Sequence, residues 1–310
     1  MRAALTLEVD GHRLVGTHHL PAGVPAAAPG LGFLLLNAAQ LPRAGMGDMP
    51  VEIADRVAAQ GIPAFRFDLP GLGDSPGELP VHVQEYWRSV EEGTDAPLAA
   101  QLGGELCRRF ALAGILLGGL CGGAITALYA CDHDAARCVR GLILLEPNYY
   151  LVGVGEAAPA PAGAGAGPRP ARPPGTGGPR GLANRLRWWL SLRHPGGRGI
   201  RLYRFATRLK TRLLGYRLPP GVNERMVASS RRLVAAGRPA LLVFAASEEK
   251  RRLLERGVFR SLPPRHRLEL AEIHGTNHML VPGGGKRAVA ERVERWVTER
   301  VRDSASGRAG

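Results

Sequence analysis

A cysteine between paired glycines is the residue of this sequence best placed to do chemistry. Cys121 lies in the stretch LLGGLCGGA (residues 116–124), where an apolar run ends at glycines and a helix-like segment follows. This pattern is typical of a strand, a tight turn and a helix that hold a reactive side chain at the turn. Residues 119–123 also fit G-x-S-x-G with cysteine in place of serine. We therefore predict that Cys121 is a nucleophile. The alternative is that it is an inert, small hydrophobic side chain at a buried turn.

The segments around Cys121 alternate between buried strands and helices. Asp10-Gly11 lies between two alternating runs and predicts a β-hairpin over residues 4–20. Further buried strands are predicted at residues 33–36, 63–67, 111–117, 139–145, 240–244 and 266–272. Helices are predicted over residues 50–61, over 83–109 with breaks near Gly93 and Gly103-Gly104, over 124–130 and over 286–301. This α/β alternation predicts a mostly parallel central sheet with helices on both faces.

A family resemblance rests on the segment that follows the strand at 63–67. It reads DLPGLGDS (residues 68–75), a D-x-P-G-x-G-D-S motif preceded by a strand, a small-residue loop, a helix and a strand. This order resembles the α/β-hydrolase fold, and the motif is most similar to its serine-aminopeptidase or lysophospholipase-like branch. The G-x-C-x-G turn resembles that of dienelactone hydrolases. Asp68 and Ser75 are interpreted as residues that shape the turn through local backbone hydrogen bonds.

The resemblance implies catalytic partners for Cys121. In this fold the acid follows the strand at 240–244 in a pattern like G-x-x-D, which aligns Glu248 with the acid and leaves Glu249 open as an alternative. The segment GTNH (residues 275–278) resembles the catalytic-histidine loop of the fold and implies that His278 is the base. Cys121, Glu248 and His278 then follow the chain order nucleophile, acid, histidine.

The same family pattern implies an oxyanion hole made by the backbone N–H groups of Ala39 and Gly122. A thiol nucleophile would form a thioester acyl-enzyme. Esters, lactones and thioesters are the expected substrates, whereas an amide is disfavoured because a thiolate leaves more readily than an amine. The sequence thus predicts an esterase or thioesterase with a Cys-His-Glu triad and no cofactor. Acyl transfer on the same fold stays open as an alternative.

Two further classes of protein stay open from the sequence. A nucleotide-binding oxidoreductase could use the glycine-rich turn at 118–123 for phosphate, with Glu146, at the end of the next strand, as a ribose-binding acid. The oxidoreductase hypothesis places the glycine-rich turn after at least two strands, later in the chain than is usual for such folds. It also gives Glu248 and His278 no role. The other class is a non-catalytic binding protein that keeps the fold.

The basic charge of the chain is concentrated in one segment. The net charge is +14, and residues 157–223 hold thirteen Lys and Arg and no Asp or Glu. We predict a hydrolase core over 1–152 and 236–302, a disordered Ala/Gly/Pro-rich linker over 153–180, a basic helical cap or lid over 181–235 and a disordered tail over 303–310. The arginines could form a solvated face, bind an anionic acyl substrate or contact an anionic membrane surface.

The expected setting is a reducing cytoplasm. The four cysteines lack C-x-x-C spacing, the N-terminal segment lacks a signal-peptide core, and no apolar run approaches 18 residues. The expected partner is a small-molecule or carrier-linked acyl substrate. Peripheral membrane contact through the basic cap is an option, and nucleic acid is not expected because no recognised module surrounds the arginines.

Overall fold

A twisted sheet of eight strands forms the centre of the described part of the chain. The structure, a computed structural model, describes residues 1–21, 23, 30–152, 217–260 and 267–305. The strands are β1 Arg2–Val9, β2 His12–His19, β3 Leu31–Leu36, β4 Ala64–Phe67, β5 Gly114–Leu120, β6 Val139–Leu145, β7 Ala240–Ala245 and β8 Leu268–Ile273. Their order across the sheet is β1-β2-β4-β3-β5-β6-β7-β8. Strand β2 is antiparallel to both of its neighbours, β1 and β4, and the strands β4, β3, β5, β6, β7 and β8 are mutually parallel.

The helices of the described residues cover both faces of this sheet. They are α1 Met49–Ala59, α2 Val83–Glu92, α3 Ala96–Arg109, α4 Gly122–Ala130, α5 Glu224–Ala235, α6 Glu248–Arg252 and α7 Gly285–Ala305. Helices α1 and α7 pack on each other and share one apolar core with the central strands. Helices α2, α3 and α5 pack around α4. Strands covered on both faces favour apolar side chains, and every residue of β3, β4, β5 and β7 is buried, including one charged residue, Arg66 of β4.

The predicted fold class is confirmed, with three local differences in the bounds of its elements. Strand β5 continues through Gly118 and Gly119 to Leu120, so it ends directly at Cys121. Helix α3 runs without a break through Gly103 and Gly104, because packing on α4 and β5 compensates for the poor helix propensity of glycine. The last helix extends to Ala305, so it includes the first three residues of the predicted tail.

The chain divides into two compact units, Met1–Glu156 with Pro220–Gly310, and Ala157–Pro219. Helix α5 lies within the predicted cap range of 181–235, yet it belongs to the first unit, because its buried side chains, including Met226 and Val227, pack where α5 meets α4. The predicted linker and most of the predicted cap lie outside the described residues and stay predictions. Among the helices that the structure describes, none has the length and apolarity needed to cross a membrane.

A series of hydrogen bonds between side chains links β2, β4 and α1. His19 is fully buried, its Nδ1 lies 2.7 Å from Asp55 Oδ1, and its Nε2 accepts a hydrogen bond of 2.8 Å from Arg66 Nε. Arginine can only donate, so Nε2 carries no proton and Nδ1–H is the donor to Asp55. Burial lowers the pKa of His19 to about 4, although the Asp55 carboxylate opposes that shift. His19 is therefore neutral in the folded protein at pH 7.

We predict that His19 makes the protein less stable in mild acid. Between pH 6.5 and 4 the unfolded chain binds a proton that folded His19 does not, so stability falls as the pH drops through this window. The loss due to His19 between pH 7 and pH 5 should be about 2 kcal/mol. Urea unfolding at both pH values measures it. His19→Gln should remove most of this dependence and His82→Gln, at an exposed histidine, should keep it. Equal pH dependence in wild type and His19→Gln would contradict the assignment.

Candidate active site

Cys121 stands at a strained corner between β5 and α4. Its backbone angles are φ 53° and ψ −113°, outside the regions that non-glycine residues favour. The conformation is held because the Cys121 N–H donates a hydrogen bond of 2.8 Å to Leu145 O at the end of the neighbouring β6. Helix α4 begins at the next residue, Gly122, so its N-terminus lies beside the thiol. A helix N-terminus favours an anion, here a thiolate.

Two glycines make this corner sterically feasible. A Cβ on Gly119 would lie 2.2 Å from the carbonyl carbon of Gly123, and a Cβ on Gly123 would lie 1.9 Å from the carbonyl oxygen of Asn37. Both contacts are with backbone, which cannot move aside as a flexible side chain could. The spacing of the glycines in G-x-C-x-G therefore follows from the close approach of the first turn of α4 to the ends of β5 and β3.

We predict that Gly123→Ala destabilises the protein by about 3 kcal/mol or prevents folding, because its Cβ would overlap Asn37 O. The matched control is Gly104→Ala, since Gly104 lies inside α3 and a Cβ there meets nothing within 4 Å. The control should gain about 0.5–1 kcal/mol through the lower entropy of the unfolded chain. Urea unfolding followed by circular dichroism measures both. Wild-type stability in Gly123→Ala would show that the corner is not packed in this way.

His278 lies in the loop between β8 and α7 and contacts Cys121. Its Nε2 lies 3.2 Å from Cys121 Sγ, within the range of a hydrogen bond to sulfur. The loop is fixed by Asn277, whose carbonyl and side-chain oxygens accept hydrogen bonds from the N–H groups of Leu280 (2.8 Å) and Met279 (3.0 Å). Leu280 has a left-handed φ of 57° and is fully buried, which anchors the loop in the core.

The carboxylate beside His278 belongs to Glu146, so the alignment of Glu248 with that position needs correction. Glu146 Oε2 lies 3.3 Å from His278 Nδ1, and the Glu146 side chain is only 1% exposed. Glu248 has a side chain that is 67% exposed and accepts a hydrogen bond of 2.8 Å from Arg252, whereas Glu249 accepts one of 3.5 Å from the Tyr150 hydroxyl. Both lie at the start of α6, where the chain turns away from the end of β7.

From sequence, Glu146 is a candidate only for the ribose-binding acid of the alternative oxidoreductase. One feature of the sequence does indicate that it lies beside the nucleophile. It directly follows the buried strand β6, and Leu145 pairs with Leu120, the residue before Cys121. Parallel strands deliver the residues at their carboxyl ends to one edge of the sheet, so an acid here lies next to the nucleophile. Glu146 also has a left-handed φ of 46°, a conformation that sequence does not reveal for glutamate.

The surroundings of His278 and Glu146 favour their charged forms. Hydrogen bonds with Cys121 and Glu146 raise the pKa of His278 to about 9, although burial opposes the shift. Burial alone would raise the pKa of Glu146, but hydrogen bonds from His278, the Lys250 ammonium and the Ala245 N–H outweigh it and hold that pKa below its ordinary value. Glu146 is therefore ionised at neutral pH. The arrangement favours an imidazolium at His278 whenever Cys121 is a thiolate.

The two predicted oxyanion-hole residues lie side by side. Ala39 follows β3 with a left-handed φ of 50°, and its N atom would lie 3.5 Å from a Cβ placed on Gly122. The Ala39 loop is held by the buried side chain of Asn37, which donates to Leu41 O (3.0 Å) and to Asp68 Oδ1 (2.9 Å). Asp68 Oδ1 also accepts from the N–H of Arg43 (2.6 Å). Within the turn, Asp68 Oδ2 accepts from the N–H of Asp74 (3.1 Å) and the Ser75 hydroxyl donates to Asp68 O (2.7 Å), so both residues shape the turn, as the sequence predicts.

A small cavity of about 60 Å³ opens beside Glu146 and His278. Its lining is mostly apolar and includes Tyr149, Leu242, Phe244 and Leu254, together with Lys250. Within the described residues, no group of three or more His, Cys, Asp or Glu side chains could hold a metal ion.

The fold matches the α/β-hydrolase fold. Over 96% of the chain, the protein resembles the dienelactone hydrolase from Anabaena variabilis (13% identity, 97% of that chain, TM-score 0.55) and TT1662 from Thermus thermophilus (16% identity, 98% of that chain, TM-score 0.53). It also resembles a thermophilic esterase from Thermogutta terrifontis (17% identity, 96% of this chain and 99% of that chain, TM-score 0.50). No protein-family model matches the sequence, and neither does any curated protein. At these identities the likeness shows the fold.

Proposed function

We propose that this protein is a cysteine-dependent hydrolase of carboxylic esters or thioesters, with Cys121 as nucleophile, His278 as base and Glu146 as acid. The contact of 3.2 Å between Cys121 Sγ and His278 Nε2, continued by that of 3.3 Å between His278 Nδ1 and Glu146 Oε2, carries the proposal. The resemblance in fold to a dienelactone hydrolase and to an esterase agrees with it.

Acylation begins with the thiolate–imidazolium pair. The Sγ of Cys121 attacks the substrate carbonyl carbon, and its negative charge passes to the carbonyl oxygen. The N–H groups of Gly122 and Ala39 receive this oxyanion, a role in which one lost donor costs about 3 kcal/mol in the barrier. His278 then gives its Nε2 proton to the departing alcohol or thiol, and a thioester on Cys121 remains.

Deacylation uses the same groups with water as the nucleophile. Neutral His278 takes a proton from water at Nε2, and the resulting hydroxide attacks the thioester carbonyl. The intermediate collapses to release the acid and the Cys121 thiolate, which restores the pair with protonated His278. Glu146 accepts a hydrogen bond from His278 Nδ1–H throughout. This bond keeps a proton on Nδ1, so that Nε2 faces the reacting atoms.

Replacing Cys121 tests the proposal directly. Cys121→Ala should lower the rate with p-nitrophenyl butyrate by at least about 10³-fold, since the thiol that would carry the acyl chain has gone. Mass spectrometry of wild type quenched during turnover should find the butyryl group on the peptide that contains Cys121. Cys107→Ala, which removes a half-buried thiol of α3, is the control and should keep wild-type activity. An equally active Cys121→Ala would refute the mechanism, and transfer of the acyl group to added methanol would indicate acyl transfer.

Paired amide variants identify the acid. Glu146→Gln keeps the shape of the side chain but removes the charge that stabilises the imidazolium, and should lower kcat by about 10²-fold or more. Glu248→Gln should stay within about two-fold of wild type, because it changes an exposed side chain paired with Arg252. Steady-state kinetics on the same ester measures both variants. A larger loss in Glu248→Gln than in Glu146→Gln would return the role to the residue predicted from sequence.

A further inference from the structure

The carboxylate of Glu146 is shared between His278 and a lysine. The Nζ of Lys250 donates a hydrogen bond to Oε2 of Glu146, the same oxygen that lies 3.3 Å from His278 Nδ1. The other oxygen, Oε1, accepts from the N–H of Ala245. The Lys250 side chain is 37% exposed and that of Glu146 is 1% exposed, so the ion pair lies at the edge of the buried site. The carboxylate oxygen that faces His278 is thus also paired with an ammonium.

Lys250 reaches this position from the segment that follows β7. Helix α6 is capped by Ser247, whose Oγ accepts from the N–H of Lys250 (3.5 Å). The two basic residues after Lys250 pair elsewhere, Arg251 with Glu272 and Arg252 with Glu248. In this fold the acid usually follows β7. Here the segment after β7 instead contributes the cation Lys250, which pairs with Glu146 at the end of β6.

This cation matters most when Cys121 carries an acyl group. The thiolate is then absent, and the proton affinity of His278 depends on its remaining neighbours. Cys121, from the turn before α4, and Glu146, from the end of β6, are the ionisable groups in contact with His278 in the described structure; Lys250 contacts Glu146, and Tyr149 and Tyr150 line the adjoining cavity. A carboxylate with no ammonium beside it would hold His278 as an imidazolium, which cannot take a proton from water.

We propose that Lys250 is a positioning residue that keeps Glu146 ionised and directed at His278, and that lowers the basicity of His278 so that it can act as a base in deacylation. The electrostatic part of this proposal follows from the contacts of Lys250 and Glu146 alone. The part that concerns deacylation rests on the proposed function.

Histidine titration by NMR tests the electrostatic part without any substrate. In a ¹³C-histidine-labelled Cys121→Ala background, the His278 resonance is assigned by its loss in His278→Gln and followed against pH. Adding Lys250→Met should raise the pKa of His278 by about one unit, because a positive charge within a few ångströms has gone. Lys250→Arg should shift it by less than about 0.3 unit, since the charge remains. The control Lys286→Met removes an ammonium of similar exposure (32%) that pairs with Glu52, and should leave the titration unchanged.

The pH dependence of kcat tests the part that concerns deacylation. The acidic limb of the kcat profile for p-nitrophenyl butyrate should move up by about one unit in Lys250→Met, with KM little changed, because more of the acyl-enzyme then holds His278 protonated. Thermal unfolding shows whether the variant is folded, and Lys250→Gln replaces it if it is not. An NMR shift below about 0.3 unit, or a downward shift, would refute the role of Lys250. An active Cys121→Ala enzyme would instead refute the proposed function and leave the NMR result standing.

Discussion

The geometry of the site depends on one close backbone contact, between the first turn of α4 and the end of β3. The missing side chain of Gly123 lets α4 approach the carbonyl of Asn37 to a distance that no other residue allows. This approach places Cys121 at its strained corner and brings Gly122 against Ala39. Asn37 then ties the Ala39 loop to Asp68 through its side chain. The same contact positions the proposed nucleophile and the proposed oxyanion-hole backbone, so a change in one would displace the other.

The position of the acid follows from the order of the strands. Strand β6 lies next to β5, so Glu146 and Cys121 end neighbouring strands, and the backbone of each is left-handed, where the chain leaves the sheet. His278 reaches them from the loop after β8, at the end of the sheet, and lies between the two side chains. The segment after β7 lies between these elements and contributes Lys250. Each of the four groups therefore comes from the end of a different parallel strand.

Local patterns predicted most of the fold and two members of the proposed triad. The glycines around Cys121 and the loop that carries His278 are short motifs. Their conformations depend on a few consecutive residues, so the sequence indicates them. The acid could not be found in this way, because its role depends on a contact across 132 positions in the sequence. Glu248 and Glu249, at the expected place after β7, were also candidates for the acid. The directions of α6 and of the Glu146 backbone in the structure place Glu146 beside His278 instead. The predicted cap range of 181–235 also includes helix α5, because contacts such as those between α5 and α4 cannot be seen in the local sequence.

A carboxylate partly neutralised by lysine suits a thiol nucleophile better than a hydroxyl. Serine stays protonated near neutral pH and needs a strongly basic histidine to attack, whereas a thiol ionises readily beside histidine and a helix N-terminus. Hydrogen bonds with Cys121 and Glu146 already raise the pKa of His278 to about 9. In the proposed mechanism, further basicity would then hinder deacylation, where His278 must lose its proton before it can act. In this proposal Lys250 opposes that basicity through Glu146, so His278 returns to its neutral form while its contact with Cys121 is kept.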